Sequence, residues 1–141
     1  MDQCKVKILW VDDDIDRLKL QPYLDAFEDK GFKIIKVANP DDVDKAIKSN
    51  SDIQCIILDI SMPPDNSIDL KASKQGMRTG LVVLKELTSI KSLDHVKKIV
   101  FTTANDAEVK DYCQVKDIDC LMKQNYGAST FIKKIEDIIE K

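Results

Sequence analysis

Five short apolar runs rich in β-branched residues alternate with longer polar segments of helical period. The runs fall at 6–11 (VKILWV), 32–37 (FKIIKV), 53–58 (IQCIIL), 98–102 (KIVFT) and 118–122 (IDCLM). This alternation most constrains the fold, because parallel strands need a crossover connection, and the helix that supplies it must cover a face of the sheet. The runs at 6–11, 53–58 and 98–102 are nearly continuous hydrophobic stretches, as expected of central strands buried on both faces. The run at 32–37 alternates more and is expected at an edge. The pattern predicts an α/β domain with a parallel sheet.

The 141 residues are the usual size of one domain, and no internal repeat, low-complexity tract or linker divides them, so a single domain over 1–141 is expected. Between the strands, N-P-D-D at 39–42 reads as a helix start: Asn39 can cap, Pro40 suits the first position, and Asp41 and Asp42 favour the positive helix end. Val43, Ala46 and Ile47 then form a buried face. Leu81, Val83, Leu84, Leu87 and Ile90 make a wider stripe, and Phe131, Ile132, Ile135, Ile138 and Ile139 another. Pro22 cannot donate within a helix interior, so the first helix is expected to kink or restart near Gln21. At 63–79 some 17 residues separate a strand from its helix, where such connections usually take about 2–6. Long loops of this kind are often lids or binding elements.

Composition narrows the function. The 22 basic side chains include only two arginines, Arg17 and Arg78, and the formal charge is -3; without a basic stripe or guanidinium forks, direct nucleic-acid binding is disfavoured. No stretch approaches the ~20 apolar residues of a membrane span, and the N-terminus runs into acid rather than a cleavage site, so no membrane association and a cytoplasmic location are expected. Cys4, Cys55, Cys113 and Cys120 contain no C-x-x-C pair and read as reduced thiols, mostly core. His95, the single histidine, lies in a polar connector and leaves little for a His-rich metal site or a Ser/His/Asp triad. The acidic side chains are 20 Asp and 5 Glu, a surplus of the shorter carboxylate that a merely solvated helix surface does not need.

In open parallel sheets ligands bind outside the carboxyl ends of the strands, and here every residue just past a central run is polar. The first strand ends in Asp12, Asp13 and Asp14, the third in Asp59, the fourth in Thr102 and Thr103, and the fifth in Lys123. Carboxylates without His or Cys partners suit a hard divalent ion such as Mg²⁺, with Mn²⁺ as the alternative. A lysine supplies a point charge and a threonine hydroxyl a donor for phosphoryl oxygens, while one carboxylate can act as nucleophile and become an aspartyl phosphate. Phosphoryl transfer asks mainly for positioning and charge neutralisation, so this set would be sufficient.

At K-I-L-W-V-D-D-D (7–14), I-I-L-D-I-S-M-P (56–63), I-V-F-T-T-A-N (99–105) and L-M-K (121–123) the sequence resembles the receiver domain of two-component response regulators, over nearly the whole chain. The resemblance implies a flavodoxin-like five-stranded parallel sheet of order 2-1-3-4-5 with helices on both faces. It implies Asp59 as phosphoacceptor, with Met62 and Pro63 agreeing with the family pattern. Mg²⁺ would be held by Asp12, Asp13 and Asp59 with the backbone carbonyl of Ser61. Thr103 matches the switch hydroxyl, because Ala104 follows it, and Lys123 the family's invariant lysine. Such a domain is a signalling switch rather than an enzyme, although it assists its own phosphotransfer and dephosphorylation. Its phosphate comes from a histidine kinase or phosphotransfer protein, and phosphorylation biases the face of the fourth helix, fifth strand and fifth helix toward a downstream protein target or a phosphorylation-dependent dimer. Because the last helix reaches Lys141, output is expected through another protein, unless the chain is a receiver cut from a longer one.

Three features depart from the family. Gln124 stands where Pro usually follows the lysine, and since a non-proline cis bond costs ~3 kcal/mol, a trans peptide and a reshaped loop are expected. Cys120 replaces the Tyr or Phe usual three residues before the lysine, which puts coupling to the output face in doubt. The loop at 63–79 exceeds the family norm. Ser61 and Asn105, two places after the acceptor and the switch Thr, flank the site. Two other readings compete: a receiver-like binding module that no longer signals by phosphorylation, and a haloacid-dehalogenase-type phosphatase using Asp12-Asp13-Asp14 and I-V-F-T-T. The second leaves Asp59 without a role and lacks the acidic motif that should follow the lysine.

Overall fold

Alternating side chains give each strand of a parallel sheet two buried rows, and the fold follows from where those rows go. The computed structural model describes residues 6–12, 18–39, 42–50, 52–59, 79–103 and 107–140. Strands β1 (Lys7–Val11), β2 (Lys33–Val37), β3 (Ile53–Leu58), β4 (Lys97–Thr102) and β5 (Asp119–Met122) pair in parallel in the order β2-β1-β3-β4-β5. This is the flavodoxin-like order. The three continuous hydrophobic runs are the interior strands, and the alternating one is at an edge.

Leu9, Val11, Ile56, Leu58 and Val100 point to one face, where they meet the buried residues of α2 (Val43–Ser49), α3 (Thr79–Thr88) and α4 (Ala107–Lys116). Ile8, Trp10, Cys55, Ile57, Ile99 and Phe101 point to the other, beneath α1 (Gln21–Asp29) and α5 (Ala128–Glu140). The register against β1 slips where Ile53 faces Lys7 but Cys55 faces Ile8. That irregularity lets Ile53 and Cys55, two residues apart, join opposite cores.

The helices obey the local chemistry with two adjustments. A 3₁₀ turn at Leu18–Leu20 precedes α1, which starts at Gln21 with Pro22 inside its first turn, where the missing N–H is not needed. The predicted restart is therefore present. In contrast, α2 begins only at Val43, with Asp42 at the N-cap position and no side-chain cap bond, while the Asp42 N–H donates to the Asn39 carbonyl. The Asn39 carbonyl thus accepts a bond just ahead of the helix, while Pro40 and Asp41 of the expected start lie outside the described residues. In α3 the stripe of Leu81, Val83, Leu84 and Leu87 is buried, whereas Ile90 lies past the helix end and is exposed. His95 is exposed, as expected of a connector.

Candidate functional site: a lysine between two buried carboxylates

Asp12 and Asp59 are the first residues beyond β1 and β3, and the sheet ladder continues through both. The Asp12 N–H donates to the Val37 carbonyl and the Asp59 N–H to the Val11 carbonyl, each at 2.9 Å. Adjacent parallel strands therefore deliver two carboxylates to the same edge with their backbones fixed. Both are buried, at 0% and 4% exposure. Residues of this type are seldom buried without a charge partner.

The partner is Lys123, the residue after β5. It opens a 3₁₀ turn at Lys123–Asn125. In the sheet order β5 is two strands from β3, roughly 10 Å at normal spacing, so only a long side chain crossing the end of β4 can reach the carboxylates. The Lys123 Nζ donates to Asp12 Oδ2 at 2.6 Å and to Asp59 Oδ2 at 3.0 Å. Burial alone would push the lysine pKa down, but Asp59 and Asp12, by charge and by hydrogen bonding, outweigh it and hold the ammonium above its ordinary value. Lys123 is thus a cation at any physiological pH.

Thr102, the last residue of β4, is fully buried between these strands, and Thr103 is the first exposed residue beyond it. The two threonines are therefore distinct: one belongs to the core, and the other is exposed just beyond the strand. Asp12, Asp59, Thr103 and Lys123 all lie at the carboxyl edge. Asp13, Asp14, Ser61, Met62, Pro63, Ala104, Asn105 and residues 63–78 of the long connection lie outside the described residues.

The donor set can be tested against the expected ion. Two buried carboxylate oxygens already converge on one cationic nitrogen, and the described residues put no thiol or imidazole in this cluster. All-oxygen donors facing a single cation suit Mg²⁺ or Mn²⁺ rather than a softer metal. Among the described residues no group of three or more His, Cys, Asp or Glu gathers as a metal cluster, so a complete protein ligand set would draw on Asp13 and Ser61.

Two of the departures have visible consequences. No cis peptide occurs among the described residues, so Lys123 and Gln124 are joined in trans and the chain turns through the 3₁₀ segment. This turn is held by a contact that sequence reasoning missed. The Tyr23 hydroxyl on α1 donates to the Tyr126 carbonyl at 2.6 Å, across 103 residues of chain. The rings of Tyr23 and Tyr126 both pack edge-on against Phe101, the neighbour of Thr102. No local motif announces such a bond; Tyr23 simply falls on the inner side of α1.

Comparison with solved structures gives the same fold. The chain is similar to a CheY-like response regulator receiver domain protein from Methanospirillum hungatei (20% identity, 97% of this chain and 95% of that one, TM-score 0.72). It is also similar to the chemotaxis protein CheY4 of Vibrio cholerae (18%, 96% and 99%, TM-score 0.72) and to a receiver domain protein from Clostridium thermocellum (20%, 96% and 94%, TM-score 0.72). No protein-family model and no curated protein matches the sequence. The fold is that of response-regulator receiver domains.

Proposed function

We propose that this chain is a phosphoacceptor receiver in which Asp59 takes a phosphoryl group and the change of charge switches a protein-binding surface. The observation that carries the reading is Lys123 Nζ held between Asp12 and Asp59 at the carboxyl edge of the sheet. A carboxylate oxygen of Asp59 attacks the phosphorus of a phosphohistidine on a histidine kinase or phosphotransfer protein. The P–N bond breaks, the imidazole leaves with a proton, and an aspartyl phosphate remains. Asp12, Asp13 and the Ser61 carbonyl would hold Mg²⁺, which neutralises charge between the acidic side chains and the phosphoryl oxygens.

Lys123 already donates to Asp59, so it needs only a small displacement to donate to a phosphoryl oxygen instead. In this reading the Thr103 hydroxyl, just past β4, donates to another. Both moves draw on segments that lead into the surface of α4, β5 and α5, where a downstream protein would read the state. A phosphohistidine donor sets this exchange in the cytoplasm. No helix among the described residues is long and apolar enough to cross a membrane.

Incubation with Mg²⁺ and acetyl phosphate should add one acid-stable, base-labile phosphoryl group by intact mass, and Asp59→Asn should abolish it. If no adduct forms under conditions that label a known receiver, the phosphoacceptor reading is overturned and a fixed binding surface becomes the better account.

A further inference from the structure

Cys113 and Cys120 are brought together by the way α4 ends. Asp117 adopts φ 56°, the left-handed conformation, while the Ile118 N–H donates to the Cys113 carbonyl at 2.8 Å and the Asp117 N–H to the Gln114 carbonyl at 3.3 Å. These two bonds around one left-handed residue form a Schellman stop, which reverses the chain within a single turn. β5 therefore begins at Asp119 directly beneath the helix it follows. Cys113 faces inward from α4, at 1% exposure, and Cys120, in register with Val100 of β4, packs against the same aliphatic core. The two thiols thus border one core across a single turn, close enough for each to bias the ionisation of the other.

We propose that Cys113 and Cys120 are a peroxide-responsive dithiol: hydrogen peroxide oxidises Cys120, and Cys113 then closes a disulfide that ties α4 to β5. Nothing in the phosphoryl chemistry uses either thiol. Cys120 is the partly exposed member and Cys113 the enclosed one, which sets the order of attack.

The two environments also divide the roles. The hydrogen bond from Cys113 favours the Cys120 thiolate, burial opposes it, and the Lys110 ammonium on α4 adds to the first effect, so the Cys120 pKa is pushed down to about 7. The same hydrogen bond, burial and the Asp119 carboxylate push Cys113 up, so it keeps its proton. Cys55, buried on the opposite face, is likewise pushed up by burial and is inert.

In the first step the Cys120 thiolate attacks a peroxide oxygen; the O–O bond breaks, one oxygen stays on sulfur as a sulfenic acid, and the other leaves as water after taking a proton. In the second, the Cys113 sulfur attacks the Cys120 sulfur, the S–O bond breaks, and the hydroxyl leaves as water with the Cys113 proton. Overall the dithiol gives up two electrons and two protons, and the peroxide becomes two waters. An S–S bond is about 2.05 Å, shorter than any thiol–thiol hydrogen bond, so closure draws β5 and α4 together. Only the consequence for output, that two elements of the proposed reading surface become linked, rests on the phosphoacceptor reading.

The test uses the full chain with Cys4→Ser and hydrogen peroxide as the probe, read by intact mass and peptide mapping without reductant. The expected product has lost two hydrogens and carries one link, Cys113 to Cys120, with Cys55 still alkylated after denaturation. Before oxidation, Cys120 should react with iodoacetamide at pH 7 about tenfold or more faster than Cys55. In Cys113→Ser the Cys120 sulfenic acid should be trapped by dimedone, and in Cys120→Ser the mass of Cys113 should not change. Oxidation of Cys120 to the sulfinic acid with Cys113 still free, links only between chains, or no reaction where free cysteine is oxidised would each overturn the proposal. None of these readouts involves phosphate, so the dithiol can fail while the phosphoacceptor reading stands, and the reverse.

Discussion

The two faces of the sheet are filled with different kinds of side chain. Beneath α1 and α5 lie seven of the eight aromatic residues: Trp10, Tyr23, Phe27, Phe32, Phe101, Tyr126 and Phe131. Phe131 stacks on Phe101, with centroids at 3.9 Å and planes 12° apart, and Trp10 is ringed by Tyr23, Phe27, Phe101 and Phe131. Beneath α2, α3 and α4 the core is aliphatic, built from Val, Leu and Ile with Cys113 among them, and Tyr112 is its one aromatic. Large planar rings in mutual contact admit few alternative packings, whereas small branched side chains can shift by fractions of a rotamer. The aromatic face is also where the Lys123 turn is anchored, through Tyr23 and Tyr126 against Phe101, whereas the aliphatic face carries α4 and the thiol pair.

The largest test of this contrast removes the centre of the aromatic face. Phe131→Ala should cost about 4 kcal/mol in denaturant unfolding and lower amide exchange protection in α1, α5 and β1 together. Val109→Ala, on the buried side of α4, should cost about 2 kcal/mol, from two lost methyl groups, with exchange rising in α4 alone. Equal costs with equally global exchange would remove the distinction between the faces.

The charge cluster is the next lever. Lys123→Met keeps the stem but removes the ammonium that the two buried carboxylates share. Removing one member of a buried pair strands the rest, so a loss of about 3 kcal/mol at pH 7 is expected by urea unfolding. Much of it should be recovered as the pH falls and the carboxylates protonate. A loss that does not depend on acid would mean that the lysine acts by packing its stem.

A smaller effect isolates the anchor. Tyr23→Phe preserves the ring contacts with Phe101 and Phe131 but deletes the donor to the Tyr126 carbonyl. The cost should be about 1 kcal/mol. If the aromatic face positions Lys123 through this bond, phosphorylation by acetyl phosphate should slow more than the stability change explains. A rate unchanged from wild type would confine Tyr23 to packing.

Much of this was legible in the sequence, and the exceptions have physical causes. The interior position of β1, β3 and β4 and the edge position of β2 follow from which runs are continuously hydrophobic, because burial on both faces leaves no room for polar alternation, whereas the order of the strands came only with the family resemblance. Asp12, Asp59 and Lys123 could be assigned to one edge because each is the first polar residue past an apolar run. What the sequence could not show is anything set by three-dimensional distance between remote positions: the Tyr23 to Tyr126 bond, the gathering of the aromatics on one face, and the meeting of two cysteines seven residues apart. The last depends on Asp117 taking a left-handed conformation that is commoner in glycine, so the usual marker of such a stop is missing.

The smallest effect at neutral pH concerns the titration of Lys123 and separates the charge cluster from both hydrophobic faces. Its pKa in the folded chain lies above the ordinary 10.5, because the two carboxylates outweigh burial. A lysine with a raised folded pKa binds its proton more tightly when folded, so its contribution is fully present below about pH 10.5 and is lost as the pH climbs through the folded value. Between pH 6 and pH 9 the contribution of this group is therefore flat, and it falls only in stronger alkali. In Lys123→Met the alkaline fall should be shallower than in wild type, whereas Phe131→Ala should shift the whole curve down without changing its slope. Parallel curves for wild type and Lys123→Met would show that the ammonium gains nothing from its position between Asp12 and Asp59.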